Sequence, residues 1–336
     1  MTTSTQATTD VQPVISALDA ARAAGRPVLI RGGGSVLDRL PPVDADELST
    51  AELTGVVDHR PEDLVITVRA GTPVEELSAL LAAHGQECPI EPLAGHGSTV
   101  GGRVATGLAG PRQLQAGRVR DWVLRVRMVT AESRVVTAGG VTVKDVTGYD
   151  LCRLSTGSWG SLGVLVEITL KLRPIPSSSR WFHTDRPAAE VLAQLYRPAA
   201  VVTTPDGTLV HLEEHPDDVV AEATAAGLQP TEPPTWPAQA RAAVDPARLG
   251  ELTTWAAGAG LHYAGFEGVG VCLLDGAADA LDAAGERVAA LEGRLLMLDP
   301  ERPPGAGAAP ADDPIAERVR AVLDPVRTLH DVRMPR

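Results

Sequence analysis

The sequence is short of cysteine, of aromatic residues and of long apolar runs. Three cysteines, Cys88, Cys152 and Cys272, lie far apart, and no pair has the spacing of a zinc, iron–sulfur or redox site. So sparse and odd a count suits a reducing compartment. Aromatics make up 3% of the residues, so the core must be built from Ala, Val and Leu. No apolar run approaches the length needed to cross a bilayer. The N-terminal MTTSTQATTD has neither a basic start nor an apolar centre, so it is not a signal peptide. The expectation is a cytoplasmic protein, peripheral to the inner membrane only through partners. Basic residues are outnumbered too, 30 against 43 acidic, for a net charge of −13. That argues against nucleic acid or anionic membrane as the main partner. Small anionic substrates stay open, because local arginines decide that. The 336 residues suffice for two domains, and no internal repeat is visible.

Glycine is abundant instead, and it is concentrated. Four dense loops sit between strand-like runs at residues 31–164: RGGGS (31–35), GHGSTVGGRVATG (95–107), AGRVRD (116–121) and GYDLCRL…GSWGSLGV (148–164). Glycine lets backbone approach a ligand closely. Successive exposed amides form anion-binding concavities. Several such loops meeting at one place would suit a long ligand carrying a pyrophosphate. Two familiar phosphate readings fail. RGGGS follows a strand, but Leu40-Pro41-Pro42 interrupts where a P-loop needs a helix, and the P-loop lysine is missing. Gly95-His96-Gly97 with Gly101, and Asp121 further on, approaches the Rossmann fingerprint, yet no strong strand precedes it and no long helix follows.

Hydrophobic periodicity predicts the elements around these loops. Residues 11–24 read as a helix capped by Gly25, and 28–30 as a buried strand. A polar loop with Asp44, Asp46 and Glu47 leads to strands at 53–58 and 64–70. Thr72, Pro73 and Glu75 look like a capping box opening a helix that Gly85 ends. A strand within 119–130 pairs with 134–138, and 162–172 is the best strand of the chain. Residues 173–179 read as a linker. Beyond it come helices at 188–195, 217–226, 247–257 and 277–291, and strands at 200–204, 208–212, 262–266, 269–274 and 295–298. The proline-rich stretches 230–237 and 300–314 read as surface loops, and 315–323 as a last helix. This mixture suits an antiparallel sheet with helices on one face.

The glycine loops also carry a resemblance. RPVLIRGGGS, LVITVRAGTPVEELSALLAAHGQ, GSTVGGRVATGLAGPRQLQAGRVRDWVLRVRMV and KDVTGYDLCRLSTGSWGSLGVLVEITLKLRP resemble the FAD-linked oxidase family with the vanillyl-alcohol-oxidase, or PCMH-type, flavin domain. Within it they are most similar to the FAD-binding subunits of glycolate oxidases. The resemblance covers roughly the first half of the chain. It implies an α+β fold: a flexible start (1–10), a two-part PCMH-type FAD-binding domain (11–176), a smaller cap of antiparallel sheet plus helices for substrate or subunit contact (177–300), and a proline-rich loop with a helix returning to the FAD domain (301–336).

The resemblance also implies roles. Arg31, Gly32, Gly33, Gly34 and Ser35 would wrap the pyrophosphate through backbone amides. Gly97, Ser98, Thr99, Gly101 and Gly102 would form a second wall, the two hydroxyls bonding phosphate or ribitol. Gly107, Gly117 and Asp121 would line the same channel. Lys144, Gly148 and Tyr149 would approach the isoalloxazine, and Gly160, Gly163 and Val164 the adenine side. Covalent members carry histidine where this chain has Ser35, and cysteine where it has Gly97 or Ser98, so the FAD is expected to be non-covalent. The family's usual asparagine–proline–glycine ending is replaced by Leu323-Asp324-Pro325 and VRTLHDVRMPR.

The implied chemistry is oxidation of a 2-hydroxy acid, which needs a carboxylate-binding arginine and a tuned base; the sequence places neither. The expected arrangement is an FAD-carrying subunit beside a related catalytic FAD subunit and an iron–sulfur subunit that takes the electrons. An autonomous FAD-dependent 2-hydroxy acid dehydrogenase and a non-catalytic scaffold are the competing readings. Other side chains have plainer readings. His211 and His215 (HLEEH) have i,i+4 spacing, but Leu212 stands where a metalloprotease needs glutamate, so both are expected at the surface. His96 reads as structural, Lys144 with Asp145 as a solvated pair or a flavin neighbour, and Cys152 as a small core residue. His262 and Tyr263 either face the flavin or lie on a strand of mixed faces.

Overall fold

The helix Gln12–Ala24 buries Val14, Leu18 and Ala21, one per turn, against the parallel strand pair Val28–Arg31 and Asp46–Ser49. Gly25 closes it at φ +63°, a left-handed conformation suited to glycine. The structure, a computed structural model, describes residues 10–40, 42–90, 97–140, 150–298 and 314–330. The strand at Asp46–Ser49 occupies what the sequence presents as a polar loop. Only Leu48 of its four residues is buried, so it carries almost no hydrophobic signal.

Next to this pair stands a five-stranded antiparallel sheet in the order Val56–Arg60, Val65–Arg69, Val164–Lys171, Val123–Val129, Val135–Gly139. Its central strand, Val164–Lys171, is buried along almost its whole length because both faces are covered. Val164 and Val166 pack towards the helix Gln12–Ala24. Leu165, Ile168 and Leu170 pack with Val74, Leu77 and Leu81 of the helix Val74–Ala82. Each such side chain contributes about 1.5–3 kcal/mol on burial. The capping box expected at that helix does not form: Pro73 is the N-cap, and Thr72 Oγ1 instead accepts the amide of Gly55 at 3.0 Å.

The second half is an eight-stranded antiparallel sheet. Its order is Gln229–Thr231, Ser178–Thr184, Gly207–Glu214, Ala200–Thr204, His262–Phe266, Val271–Asp275, Ala240–Ala243, Arg294–Met297. Strand Ser178–Thr184 begins inside the expected linker, Gln229–Thr231 runs into the proline-rich stretch read as a loop, and Ala240–Ala243 lies where no element was expected. Proline and alanine leave Gln229–Thr231 and Ala240–Ala243 little β signature, whereas Ser178–Thr184 carries Trp181, Phe182 and Thr184 behind its serines. The outer face packs on helices Pro216–Ala225, Leu249–Gly258 and Ala278–Ala290. The inner face, with Val202, Phe266 and Leu273, packs against Val36, Leu40, Leu108 and Trp159 of the first half.

The chain then comes back. After the helix Pro314–Leu323, Leu329 forms a parallel bridge to Val28 and is fully buried. The amide of Val28 donates to Thr328 O at 2.7 Å, and that of His330 to Val28 O at 2.8 Å. Asp324, itself buried, accepts the amides of Thr328 and Leu329, each at 2.8 Å. Among the described residues no helix is long and apolar enough to cross a membrane.

Candidate functional site

Three of the glycine loops leave strand or helix ends on the same side of the first half. Together they line one cleft. Gly32, Gly33, Gly34 and Ser35 form one wall, Ser98, Thr99, Gly101 and Gly102 a second, and Gly160 and Gly163 a third. Among the described residues, the amides of Gly32, Gly33, Gly34 and Ser35 donate to no protein acceptor. A run of unpaired amides is costly unless a ligand or water takes them, and it is the arrangement that binds anions. That observation makes the cleft a fit for a diphosphate.

The glycines are needed because backbone meets backbone. A Cβ on Gly33 would fall onto the carbonyl oxygen of Gly97, and one on Gly101 would lie 2.8 Å from Ala70 O. Gly34 holds φ +79°, a left-handed conformation suited to glycine. Trp159, a cleft residue, holds φ +55°, a conformation disfavoured for a bulky side chain. Its amide is fixed by Ala105 O at 2.8 Å. Thr50, Ala70, Arg103, Ala105 and Trp159 also line the cleft; the last three fall inside the glycine loops without having been singled out, and Thr50 and Ala70 lie outside them. Arg103 is buried and its guanidinium bonds Leu108 O.

Other expected residues lie elsewhere. Arg31 turns its side chain to Asp38 and to Glu47, the latter at 3.4 Å. Gly97 touches the cleft only through its contact with Gly33. Gly107, at φ +63°, ends the helix Val100–Thr106 and packs on Gly157. Gly117 ends the short helix Gln113–Ala116 at φ +81°. Asp121 Oδ2 accepts the amide of Arg118 at 2.8 Å, a local turn bond. Val164 is wholly buried in the core between Gly163 and Leu165, which do reach the cleft. His96, Lys144, Asp145, Gly148 and Tyr149 lie outside the described residues.

The seam between the halves holds further polar groups. Glu87 and Glu213 bridge Arg112 and Arg173: Arg112 Nη2 to Glu87 is 2.6 Å, and Arg173 Nη2 to Glu213 is 2.7 Å. His211 is not at the surface, as expected from sequence, but 5% exposed, because its strand turns this residue inward. It stacks on Trp181 with ring centroids 4.5 Å apart. Burial, opposed in part by Glu213, lowers its pKa to about 4. His215 stays exposed and accepts the amide of Asp217 at 3.4 Å. Tyr263 is buried on the outer, helix-covered face, and His262 is exposed. Cys152 is a core residue whose thiol faces Ala138 O at 3.4 Å.

One cation stands apart. Arg241 lies opposite Leu273 and Leu296 in register, and directly opposed residues share a sheet face; here it is the inner one. Among the described residues it has no hydrogen-bond or ion-pair partner, and its Nε is buried. Burial alone lowers its pKa from 12.5 to about 10. The residues around it, in ARAAVD, carry no motif that sequence reading would catch. Among the described residues no group of three or more His, Cys, Asp or Glu is placed to hold a metal.

Known proteins resemble this architecture. A family model described as an FAD binding domain matches residues 6–139. The chain is 41% identical over 170 residues to glycolate oxidase subunit GlcE of Escherichia coli K12, covering 50% of this chain and 49% of that protein. It is 36% identical over 151 residues to a D-lactate dehydrogenase of Archaeoglobus fulgidus, covering 44% and 33% of the two chains. Glycolate oxidase subunit GlcD of Bacillus subtilis is 29% identical over 199 residues, 56% of this chain and 42% of that one. The chain thus spans about half or less of the length of these curated relatives. A solved alkyldihydroxyacetonephosphate synthase superposes with a TM-score of 0.68 over 98% of this chain and 75% of its own, at 15% identity, which shows a shared fold.

Proposed function

We propose that this chain, whose residues 6–139 match a family model described as an FAD binding domain, is the non-covalent FAD-carrying subunit of a glycolate-oxidase-like complex acting on 2-hydroxy acids. The observation that carries this reading is the set of unpaired amides at residues 32–35 facing Ser98 and Thr99 across one cleft. In the proposal those amides hold the diphosphate oxygens. The hydroxyls of Ser98 and Thr99 take further phosphate or ribitol oxygens. Val36 and Trp159 exclude water from one side. Ser35 stands where covalent members of the resembled family carry histidine, and Gly97 or Ser98 where they carry cysteine, which supports a dissociable cofactor. FAD, when bound, supplies a two-electron acceptor; a related catalytic subunit and an iron–sulfur subunit are the partners proposed for it.

A second reading, autonomous oxidation of a 2-hydroxy acid, is favoured by Arg241. An unpaired guanidinium on the face turned to the flavin domain is a ready anchor for a substrate carboxylate. Anaerobic mixing of the FAD-loaded chain with glycolate or D-lactate separates the two. A flavin that bleaches only once co-purified partners are added supports the subunit role. Bleaching by the chain alone, lost in Arg241→Gln, rejects that role in favour of the second reading.

A further inference from the structure

The turn that follows the first glycine loop touches both halves of the molecule. The short helix Leu37–Arg39 is fastened to the loop by the amide of Asp38, which donates to Gly34 O at 2.9 Å. Val36 and Leu37 line the glycine cleft. Arg39 instead reaches the second half. Its Nε donates to Leu298 O at 3.1 Å, and its Nη2 donates to Ala238 O.

The place it grips is firm. Leu298 and Ala238 lie at the ends of the neighbouring strands Arg294–Met297 and Ala240–Ala243. Leu298 N donates to Gln239 O at 2.8 Å. Asp275 closes the next strand, and one of its oxygens accepts the amides of Ala238 and Gln239, each at 2.6 Å. The amide of Gly276 donates to Gln239 Oε1 at 2.8 Å. Three strand ends thus form one corner, and Arg39 ties it to the wall of the cleft. One of those strands, Ala240–Ala243, carries Arg241.

Other contacts across the seam act differently. Glu87, Glu213, Arg112 and Arg173 pair with one another, and none of the four lines the glycine cleft. Val36 and Leu40 pack on the inner face of the second sheet, but apolar contact is non-directional and tolerates sliding. Two bonds from one rigid guanidinium fork fix a position.

The loop is the looser partner. Its amides at residues 32–35 donate to no protein acceptor among the described residues. A diphosphate gripped by those amides orders the loop, and with it the turn that places Arg39. Ordering the turn once serves both sets of bonds, so each event favours the other. We propose that Arg39 is a positioning residue that couples occupation of the glycine cleft to the seating of the second sheet, above all of the strand that carries Arg241. The proposal rests on the reading of the cleft as an FAD site.

The test is hydrogen–deuterium exchange on the full chain, without FAD and at saturating FAD, in the parent, Arg39→Met and Arg39→Lys. Methionine keeps an apolar stem and removes the donors. In the parent, FAD should slow exchange at residues 32–35. It should also slow exchange at 238–243 and 295–298 by about tenfold or more, the increment of one charge-assisted hydrogen bond. In Arg39→Met the slowing at 32–35 should remain, with FAD bound about tenfold more weakly, and the slowing in the second sheet should vanish. Arg39→Lys, which can reach one carbonyl, should fall between. A purely structural arginine predicts faster exchange in the second sheet by the same factor in both states, with the effect of FAD intact; that outcome overturns the proposal. Slowing confined to the glycine loops of the parent overturns it without any variant. FAD that slows nothing at 32–35 contradicts the FAD reading itself, and the coupling with it.

Discussion

Gly33 is the residue on which the candidate cleft turns. Its missing side chain would point at the carbonyl of Gly97, not into open space. Even Gly33→Ala must therefore push two loops apart. We expect it to cost about 1–3 kcal/mol, as overpacking does, and to abolish FAD uptake. Flavin titration together with a urea melt checks both. Gly25→Ala is the control: it has open space and pays only for its left-handed φ, so it should keep FAD. Undiminished FAD binding in Gly33→Ala would show that the contact between loops does not shape the site. His211 makes a second prediction. Its folded pKa, about 4, is below the ordinary 6.5, so the unfolded chain binds the proton more readily. Its stabilising contribution is complete above pH 6.5 and is lost as pH falls towards 4, by up to about 3 kcal/mol. His211→Phe should flatten the fall in urea midpoint between pH 6.5 and 4.5; an unchanged slope would contradict this. From sequence the glycines were legible because their need is local. His211 and Arg241 were not, because strand register decides which face a residue takes.

Among elements, the returning C-terminal segment invites a direct test. Asp324 holds two backbone amides, and with them Leu329 beside Val28. Asp324→Ala leaves those buried donors unsatisfied and should cost about 3 kcal/mol. The segment should also become open to trypsin after Arg327. A variant as stable and as resistant as the parent would show that this carboxylate does not hold the segment. The helix at 314–323 was readable from periodicity, but the pairing that follows it joins residues three hundred positions apart and leaves no local trace. Legibility elsewhere followed the same line. Val164–Lys171 announces itself through Val164, Leu165, Val166, Ile168 and Leu170. Asp46–Ser49 and Ala240–Ala243 are strands only because a neighbour offers an open ladder of hydrogen bonds.

For the molecule as a whole, both halves of the α+β architecture could be anticipated, the first from its glycine loops and the second from alternating helices and strands. The size of the second sheet was underestimated, since its eight strands include two with weak β character and a third that begins in serines. The central claim concerns what the cleft between the loops holds. Acid treatment of the freshly purified protein, with the flavin identified in the supernatant, tests it most directly. The prediction is a yellow protein that releases FAD, close to one per chain, and leaves a colourless precipitate. A colourless protein that takes up no added FAD would contradict FAD binding, and a precipitate that stays yellow would contradict non-covalent attachment.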